Sequence, residues 1–582
     1  MILKYLRASD WAVVALCVVL IALQVYLDLE VPAYMANITT VLNTGGTTDQ
    51  VLDEGIPMLV CAFGSLVSSV VVGYLSARTA TSLAKTVRKR QFDSVQSFSS
   101  EEIGRFSVAS LITRSTNDVN QVMMVIAIGL QVMVKAPIMA VWAVSKIIGS
   151  DFRWTSAVAI SVLVMLAIIA AIMIFVVPRF KRLQGYTDDV NAVTKESIEG
   201  IRVIHAYNAE EFQESRFKKA NGILTGTHLA VTRALAFLGP GMQTVMNLMS
   251  LSIYWIGASI INEATGMMRI EEFSSMIVFS AYALQIVASF MMMTAIFMIL
   301  PRAQVAARRI EEVIDTEPSI KDGGIEKSPD GRAGEIEFVD VGFRYPGAKE
   351  DTFSGISFSA KKGETVAFIG STGSGKSTLV NLIPRFYDVT SGKILVDGVD
   401  VRDYDIASLR EKIGYVPQKT VLMSGTIESN VNYGSDSESR TLDDVKRAIR
   451  IAQGTDFVEK AEGQYGSRVA EMGNNFSGGQ RQRLSIARAV CRDPEIYIFD
   501  DSFSALDYST DRDLRSALKK EAAGATKLIV AQRIGTIRDA DKIVVLDGGK
   551  AVGIGKHEDL LINCPVYREI ASSQLSAEEL GI

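Results

Sequence analysis

The run Gly370-Ser371-Thr372-Gly373-Ser374-Gly375-Lys376-Ser377 fits the pattern Gly-x4-Gly-Lys-Ser/Thr. Residues of these types at this spacing can hold the phosphates of a nucleoside triphosphate. Thr365 to Ile369 is an apolar strand that leads straight into the run, and Ser377, Thr378 and Leu379 open a helix. In that context, successive backbone N–H groups and the helix N-terminus face phosphate oxygens. Lys376 would neutralise the β- and γ-phosphates, and Ser377 would bind Mg2+. Further on, Ile496-Tyr497-Ile498-Phe499-Asp500 reads as a buried strand ending in a carboxylate for the same ion. Asp501 follows directly, and another strand, Leu528 to Val530, leads to Gln532. A chance glycine turn would not bring strand, loop, helix and carboxylate together in this order. ATP and Mg2+ are the expected ligands.

A second glycine-bearing segment, Asn475-Phe476-Ser477-Gly478-Gly479-Gln480, precedes an apolar-periodic helix. Ser477 could cap that helix, and the glycine backbones could present N–H groups to an anion. On local physics alone a capping turn is the simpler reading.

These residues need a scaffold. From Glu335 onward, short β-branched strands alternate with helices, as in an α/β domain. Before it, Pro318 to Gly334 is rich in Gly, Asp, Pro and Ser, which marks a linker. The expected division is a membrane domain over 1–315, a linker over 316–334 and a nucleotide-binding domain over 335–582. No internal repeat, low-complexity tract or second P-loop is present.

The membrane assignment rests on bulk and local composition. The chain has 582 residues, too many for one ordinary domain. Apolar residues make up 48% and charged residues 21%, and the mean hydropathy is +0.22. Six apolar segments, near 11–34, 56–77, 121–148, 154–177, 235–262 and 273–300, each approach the ~20 residues that cross a bilayer. Five further spans make the first a membrane helix rather than a signal peptide, and Met1 to Asp10 a short amphipathic start on the membrane surface. Segments 78–120 and 178–234 carry Lys and Arg throughout, whereas 35–55 has neither and 263–272 has only Arg269. The positive-inside bias therefore places the two long basic loops and both termini in the cytoplasm. Ile198, Ile201, Ile204, Phe212 and Phe217 recur at helical spacing, so the helices are expected to continue beyond the membrane. Of the four cysteines, Cys17 and Cys61 lie in apolar runs and Cys491 and Cys564 in the polar half, so neither a disulfide framework nor a zinc spacing emerges. No basic stretch points to nucleic acid.

Taken together, these motifs resemble the ABC transporters, and the resemblance covers nearly the whole chain. It rests on the P-loop at 370–378, the signature Ser477-Gly478-Gly479-Gln480 and the Walker B strand 496–500. Tyr345 in Phe343-Arg344-Tyr345-Pro346 resembles the family's adenine-stacking aromatic. Gln418 in Tyr415-Val416-Pro417-Gln418 resembles the Q-loop, and Asp507 in Ser504-Ala505-Leu506-Asp507 the D-loop. Arg114 to Asp118 and Glu199 to Glu210 resemble the intracellular loops of exporter half-transporters, as does the order of membrane part first and ATPase second. The resemblance implies a six-helix all-α membrane domain followed by an α/β P-loop ATPase domain. It implies ATP contacts from Tyr345, from Ser371, Thr372, Gly373, Ser374, Gly375, Lys376, Ser377 and Thr378, and from Ser477, Gly478, Gly479, Gln480 and Asp507. It also implies Mg2+ ligation by Ser377, Gln418 and Asp500, and catalytic roles for Gln418 and for positions 501 and 532.

At those last two positions the chain departs from the pattern. The family places glutamate where this chain has Asp501, and histidine where it has Gln532. Aspartate is one methylene shorter, and a retreat of ~1 Å by a general base costs orders of magnitude in rate. Glutamine is a neutral hydrogen-bond donor that cannot carry imidazole's proton. Glu471-Met472-Gly473-Asn474 also departs from the usual Gly-Glu-Arg-Gly. In this family two ATPase domains close head to tail, each ATP lying between one P-loop and the other signature. The departures thus resemble the degenerate half of a heterodimeric exporter, partnered by a non-identical half with intact glutamate and histidine.

Cargo is expected to be an amphipathic small molecule, lipid or peptide, moved across a bacterial inner membrane. Segments 107–113 and 207–213 are the expected couplers to the ATPase. Lys135 falls inside the third span, either as a cavity residue or as a lysine snorkelling to the inner headgroups. Met291, Met292, Met293 and Met298 on the sixth span read as packing or as an adaptable cargo surface. Trp142, Trp154 and Trp255 read as interfacial or packing residues, and His205, His228 and His557 as structural. Two other functions stay open: an ATP-binding membrane switch without pumping, and an exporter-fold importer of siderophore-like cargo.

Overall fold

The computed structural model describes residues 2–148, 151–328, 332–434 and 439–575, without the side chains of residues 3, 181, 294–298 and 301. The chain divides into two compact units, Met1–Gln96 with Val108–Thr316, and Ser97–Ser107 with Glu317–Ile582.

The first unit is all-helical. After a 3-10 turn at Ile2–Tyr5, its helices are α1 (Ala8–Asn43) and α2 (Thr48–Ser97). Beyond the short helix α3 (Ser100–Phe106), which belongs to the other unit, come α4 (Val108–Thr113), a π-helical turn Arg114–Asp118 and α5 (Val119–Ile147). They are followed by α6 (Phe152–Glu199), α7 (Ile201–Ala206), α8 (Glu210–Ala236), α9 (Leu238–Glu263) and α10 (Met267–Ile314). Among the described residues, six spans are long and apolar enough to cross a membrane. Each contains or overlaps one of the six apolar segments read from the sequence. Several helices run far past the bilayer: α2 has 50 residues, or about 75 Å at 1.5 Å per residue.

Helical periodicity sorts these side chains. Cys17, Ile21, Val25 and Leu29 recur every fourth residue on α1, and all are buried in one apolar cluster with Met242, Met249 and Ile253 of α9 and Phe279, Ile286 and Val287 of α10. On α2, Leu59, Phe63, Leu66, Val70 and Tyr74 form an exposed apolar stripe, as a helix facing lipid or another subunit requires. Trp154 is a packing residue, its indole N–H donating to the Ile253 carbonyl at 3.2 Å. Trp255 is exposed. Met291 and Met292 are partly exposed on α10, and the Met298 side chain lies outside the described residues.

The second unit is α/β. Its strands are β1 (Ile336–Phe343), β2 (Phe353–Ala360), β3 (Thr365–Gly370), β4 (Ser391–Val396), β5 (Val399–Asp400) and β6 (Ile413–Val416). They continue with β7 (Gly425–Thr426), β8 (Arg468–Val469), β9 (Ile496–Asp500), β10 (Thr526–Val530), β11 (Lys542–Asp547) and β12 (Lys550–Gly555). A four-stranded antiparallel sheet has the order β2-β1-β4-β5, and a six-stranded sheet the order β12-β11-β3-β10-β9-β6. In the larger sheet every pairing is parallel except that of the edge strand β12.

Near-continuous apolar runs mark strands buried on both faces. Along β3, Val366 and Phe368 enter the layer shared with the antiparallel sheet, while Ala367 and Ile369 enter the layer covered by helices. β9 repeats the alternation with Ile496 and Ile498 against Tyr497 and Phe499. Phe338, Phe358 and Phe368 bind the two sheets together, with ring centroids 4.4 and 5.3 Å apart.

Two further segments are held by hydrogen bonds of their own. The linker is partly structured: Gly323, Gly324 and Ile325 donate backbone N–H groups to the carbonyls of Tyr404 and Asp403. Of the coupling segment expected at 107–113, Val108–Thr113 belongs to the helical unit, and it is the preceding Ser97–Ser107 that belongs to the α/β unit. Glu102 explains this, since its carboxylate accepts from Ser99 N–H at 2.8 Å and from Ser319 N–H at 3.0 Å. Spacing alone does not reveal a contact across 217 residues.

Phe368→Ala should open a cavity between the sheets. A loss of about 3–5 kcal/mol is expected for an aromatic at a fully buried position, read as a lower midpoint of thermal unfolding of the α/β unit within the full-length protein.

Candidate nucleotide-binding site

The sheet order explains the site. The parallel strands β3, β10, β9 and β6 lie side by side, with Phe368 paired to Val530, Val530 to Asp500, and Phe499 to Val416. Their C-terminal ends therefore line one edge, the usual place for ligands on a parallel sheet. The P-loop leaves β3, Gln532 follows β10, Asp500 and Asp501 end β9, and Gln418 follows β6.

Gly370 must be glycine because a Cβ there would meet the Leu546 carbonyl oxygen at 2.0 Å. Gly375, at φ +89°, turns the chain into α11 (Lys376–Asn381) through a left-handed conformation that a side chain would strain. The loop Ser371, Thr372, Gly373 and Ser374 closes on itself, Ser374 N–H donating to the Ser371 carbonyl at 3.2 Å. Lys376 Nζ donates to the carbonyls of Gly370 and Ser371 at 2.9 and 2.7 Å. Burial lowers the affinity of this amine for its proton, and the charges of Asp501 and Asp500 oppose that shift.

Ser377 Oγ donates to Asp500 Oδ1 at 2.6 Å. Asp500 is 3% exposed. Burial holds its carboxyl above the usual carboxylate range, against the Ser377 bond, and the neighbouring Asp501 charge adds to the rise. A hydroxyl and a buried carboxylate side by side are hard oxygen donors that fit Mg2+, and a cation would restore the ionised form that burial disfavours.

Asp501 lies at φ +46°, a left-handed conformation that aspartate tolerates better than most residues. Its backbone N–H donates to Val530 O at 3.0 Å. Its Oδ2 accepts from Gln532 Nε2 at 2.7 Å and, more weakly, from Gln418 Nε2 at 3.4 Å. Three residues separated by up to 114 positions thus meet at one carboxylate oxygen. Burial raises the Asp501 carboxyl's affinity for a proton, opposed by hydrogen bonds from Gln418, Ser504 and Gln532.

Tyr345 follows β1, and its hydroxyl shares a 2.8 Å hydrogen bond with Thr378 Oγ1 of α11. Its ring meets Phe343 and Tyr387 edge-on. A cleft of about 500 Å3 opens beside it, bordered by Arg344, Tyr387, Ser99 and Glu101. Tyr387 and the 99–101 segment lie in no recognisable phosphate or aromatic motif, so residue order alone does not mark them.

The signature stands apart from these groups. Ser477 caps the helix Gly478–Cys491 in a capping box, accepting from Gln480 N–H at 3.3 Å while Gln480 Oε1 accepts from Ser477 N–H at 2.9 Å. Asp507 caps the helix Tyr508–Glu521, accepting from Thr510 N–H at 2.9 Å. Hydrogen bonds from Ser509 and Thr510 hold its carboxyl well below the usual range. Among the described residues no hydrogen bond links Ser477, Gly478, Gly479 or Gln480 to the P-loop.

Comparison with known proteins follows the same division. Residues 353–504 match the model of the ABC transporter family, and residues 14–288 that of the ABC transporter transmembrane region. An uncharacterized ABC transporter ATP-binding protein of Mycobacterium tuberculosis is 37% identical over 98% of this chain and 97% of its own length. An ATP-dependent lipid A-core flippase of Hahella chejuensis is 32% identical over 90% of this chain and 88% of its own. A bacterial Atm1-family ABC exporter, solved with ATP bound, shares the fold with a TM-score of 0.79 at 22% identity, over 98% of this chain and 99% of that one.

Tyr345→Ala should weaken ATP binding. If Tyr345 stacks on adenine, as the resemblance implies, its loss is expected to cost about 1–3 kcal/mol of binding, measured by titration with a fluorescent ATP analogue, together with a lower thermal midpoint of the unliganded protein, because buried Thr378 loses its hydrogen-bond partner.

Proposed function

Because the chain belongs to the ABC transporters, we propose that it is one half of an ATP-driven exporter of amphipathic cargo and that its own ATP site is the weak one. The observation that carries this reading is the Asp501–Gln532 pair. The shorter carboxylate spends its Oδ2 on Gln532, at 2.7 Å, and on Gln418. A general base has to reach an attacking water and accept its proton. Gln532 offers neither charge nor proton. The P-loop, by contrast, has each residue that phosphate binding needs. ATP would be bound through Tyr345, Lys376 and the loop amides, and Mg2+ through Ser377 and Asp500 with Gln418 nearby. Bound Mg2+ supplies charge neutralisation at the phosphates.

The signature supports a second role. Ser477 is preorganised by its own capping box, which engages the N–H groups of Ser477 and Gln480 rather than those of Gly478 and Gly479. With Gly478, Gly479, Gln480 and Asp507 it would complete the ATP site on the P-loop of a non-identical second half. Closure and release of the two ATPase domains would switch the membrane helices between inward- and outward-facing states. The similarity to lipid A-core flippases favours a lipid-like amphiphile. The arrangement of basic loops favours a bacterial inner membrane with the ATPase in the cytoplasm.

The complex recovered through a tag on this chain should contain a second chain of similar size in equal amount; this chain alone as a homodimer would refute the reading. Within that complex, Ser477→Ala should lower ATPase activity by about tenfold or more, and Asp501→Ala by less than about twofold, since only the former touches the efficient site. The reverse ranking would overturn the assignment. The pair Asp501→Glu with Gln532→His should raise turnover.

A further inference from the structure

A set of polar side chains deep in the membrane unit takes no part in ATP binding. Asp28 lies near the middle of α1 and Lys135 near the middle of α5. Lys135 Nζ donates to Asp28 Oδ2 at 3.0 Å. The other carboxylate oxygen accepts from Ser65 Oγ of α2. The Asp28 carbonyl accepts from Gln285 Nε2 of α10 at 3.2 Å. That last bond has a cause in the sequence: Pro32, four residues on, has no N–H to give this carbonyl. In a bilayer a freed carbonyl has to be satisfied by a neighbouring helix. Gly64 lets α2 come close, since a Cβ there would already meet Leu27 Cδ1 at 3.0 Å. Four helices meet at this node.

Lys135 is therefore an ion-paired residue within this node. Pairing offsets part of the cost of a buried charge, but the node is not saturated. An ammonium has three donors, and among the described residues Asp28 is the one hydrogen-bond acceptor of Lys135. Gln285 Oε1 is buried and has no hydrogen-bond partner. The Lys135 and Asp28 side chains keep 22% and 25% of their surface exposed, so a ligand can reach them. A ligand with a single charge would leave the neutral pair with an uncompensated charge in a low dielectric. A ligand bearing both charges would not.

We propose that Asp28, Lys135 and Gln285 form an intramembrane site for the headgroup of a zwitterionic amphiphile, one that carries an oxyanion and an ammonium with N–H groups. Lys135 takes the oxyanion, while the Asp28 carboxylate and Gln285 Oε1 accept from the ammonium. A quaternary ammonium cannot make those bonds, and a purely anionic headgroup has no partner for Asp28. On α5, Met124 and Ile128 border a small apolar groove with Ile299 and Leu300, and they lie on the same helical stripe as Gln131 and Lys135. A chain and its headgroup can follow that one face.

This inference deepens the exporter reading and rests on it for the idea that the ligand is cargo; the test reads binding separately from transport. The complex purified through this chain is placed in phosphatidylcholine nanodiscs with equal small fractions of phosphatidylethanolamine and phosphatidylglycerol of matched chains. Lipids retained on release are counted by native mass spectrometry. Phosphatidylethanolamine should be enriched about tenfold over both others, the size expected for one charge-assisted hydrogen bond. Asp28→Asn and Lys135→Met should each bring that enrichment to within about twofold of none. If either variant fails to assemble, Gln285→Leu decides, with an expected loss of about threefold in enrichment. Equal retention of the three lipids, enrichment of phosphatidylglycerol, or an enrichment unchanged in Gln285→Leu would overturn the proposal. ATP-driven lipid flux is measured on the same preparation. Selective binding without flux would count against the exporter reading alone, and flux without selectivity against the site alone.

Discussion

The register of four parallel strands is the constraint on which the nucleotide site depends. β3, β10 and β9 are buried on both faces, so each residue has a place in one of two apolar layers. A slip by one residue would exchange Val366 and Phe368 with Ala367 and Ile369 across the sheet. Large and small side chains would then face the wrong layers. Because the register cannot drift, the P-loop, Asp500, Asp501, Gln532 and Gln418 arrive together at one edge. The contact of Gly370 with the Leu546 carbonyl locks the same edge from the β11 side.

The signature and the Asp507 turn are held by different physics. Ser477 and Asp507 each satisfy the free N–H groups at the start of a helix in their own chain. Their geometry is thus set before any nucleotide or second subunit arrives. A segment that needs no ligand to hold its shape loses little entropy when it meets one.

In the helical unit the governing requirement is the satisfaction of polar groups away from water. Pro32, Pro57, Pro137 and Pro178 each lie inside a long helix, and each removes one backbone donor. Around Pro32 the repair is visible in Gln285, which donates to the Asp28 carbonyl, and the Tyr282 hydroxyl adds a bond to the neighbouring Leu29 carbonyl at 3.0 Å. The same bonds hold α10 against α1 at the level of the Asp28–Lys135 pair. Packing and hydrogen bonding therefore converge on one level of the bundle.

Features with a short period were legible from residue order. Runs of apolar residues reveal the spans because hydropathy is additive along a helix. The P-loop is legible because one turn of backbone makes the whole anion cradle. Continuation past the apolar runs was legible from apolar residues at helical spacing, but where α2 and α6 stop was not. Nor was the meeting of Gln418, Asp501 and Gln532, which local spacing leaves as three unrelated positions. Asp28 was passed over beside Lys135 because a carboxylate in an apolar run has no partner until α1 and α5 are side by side. Identity along the chain thus settles which chemistry is available. Which groups share a hydrogen bond depends on register and helix packing, because only those bring residues a hundred positions apart within 3 Å.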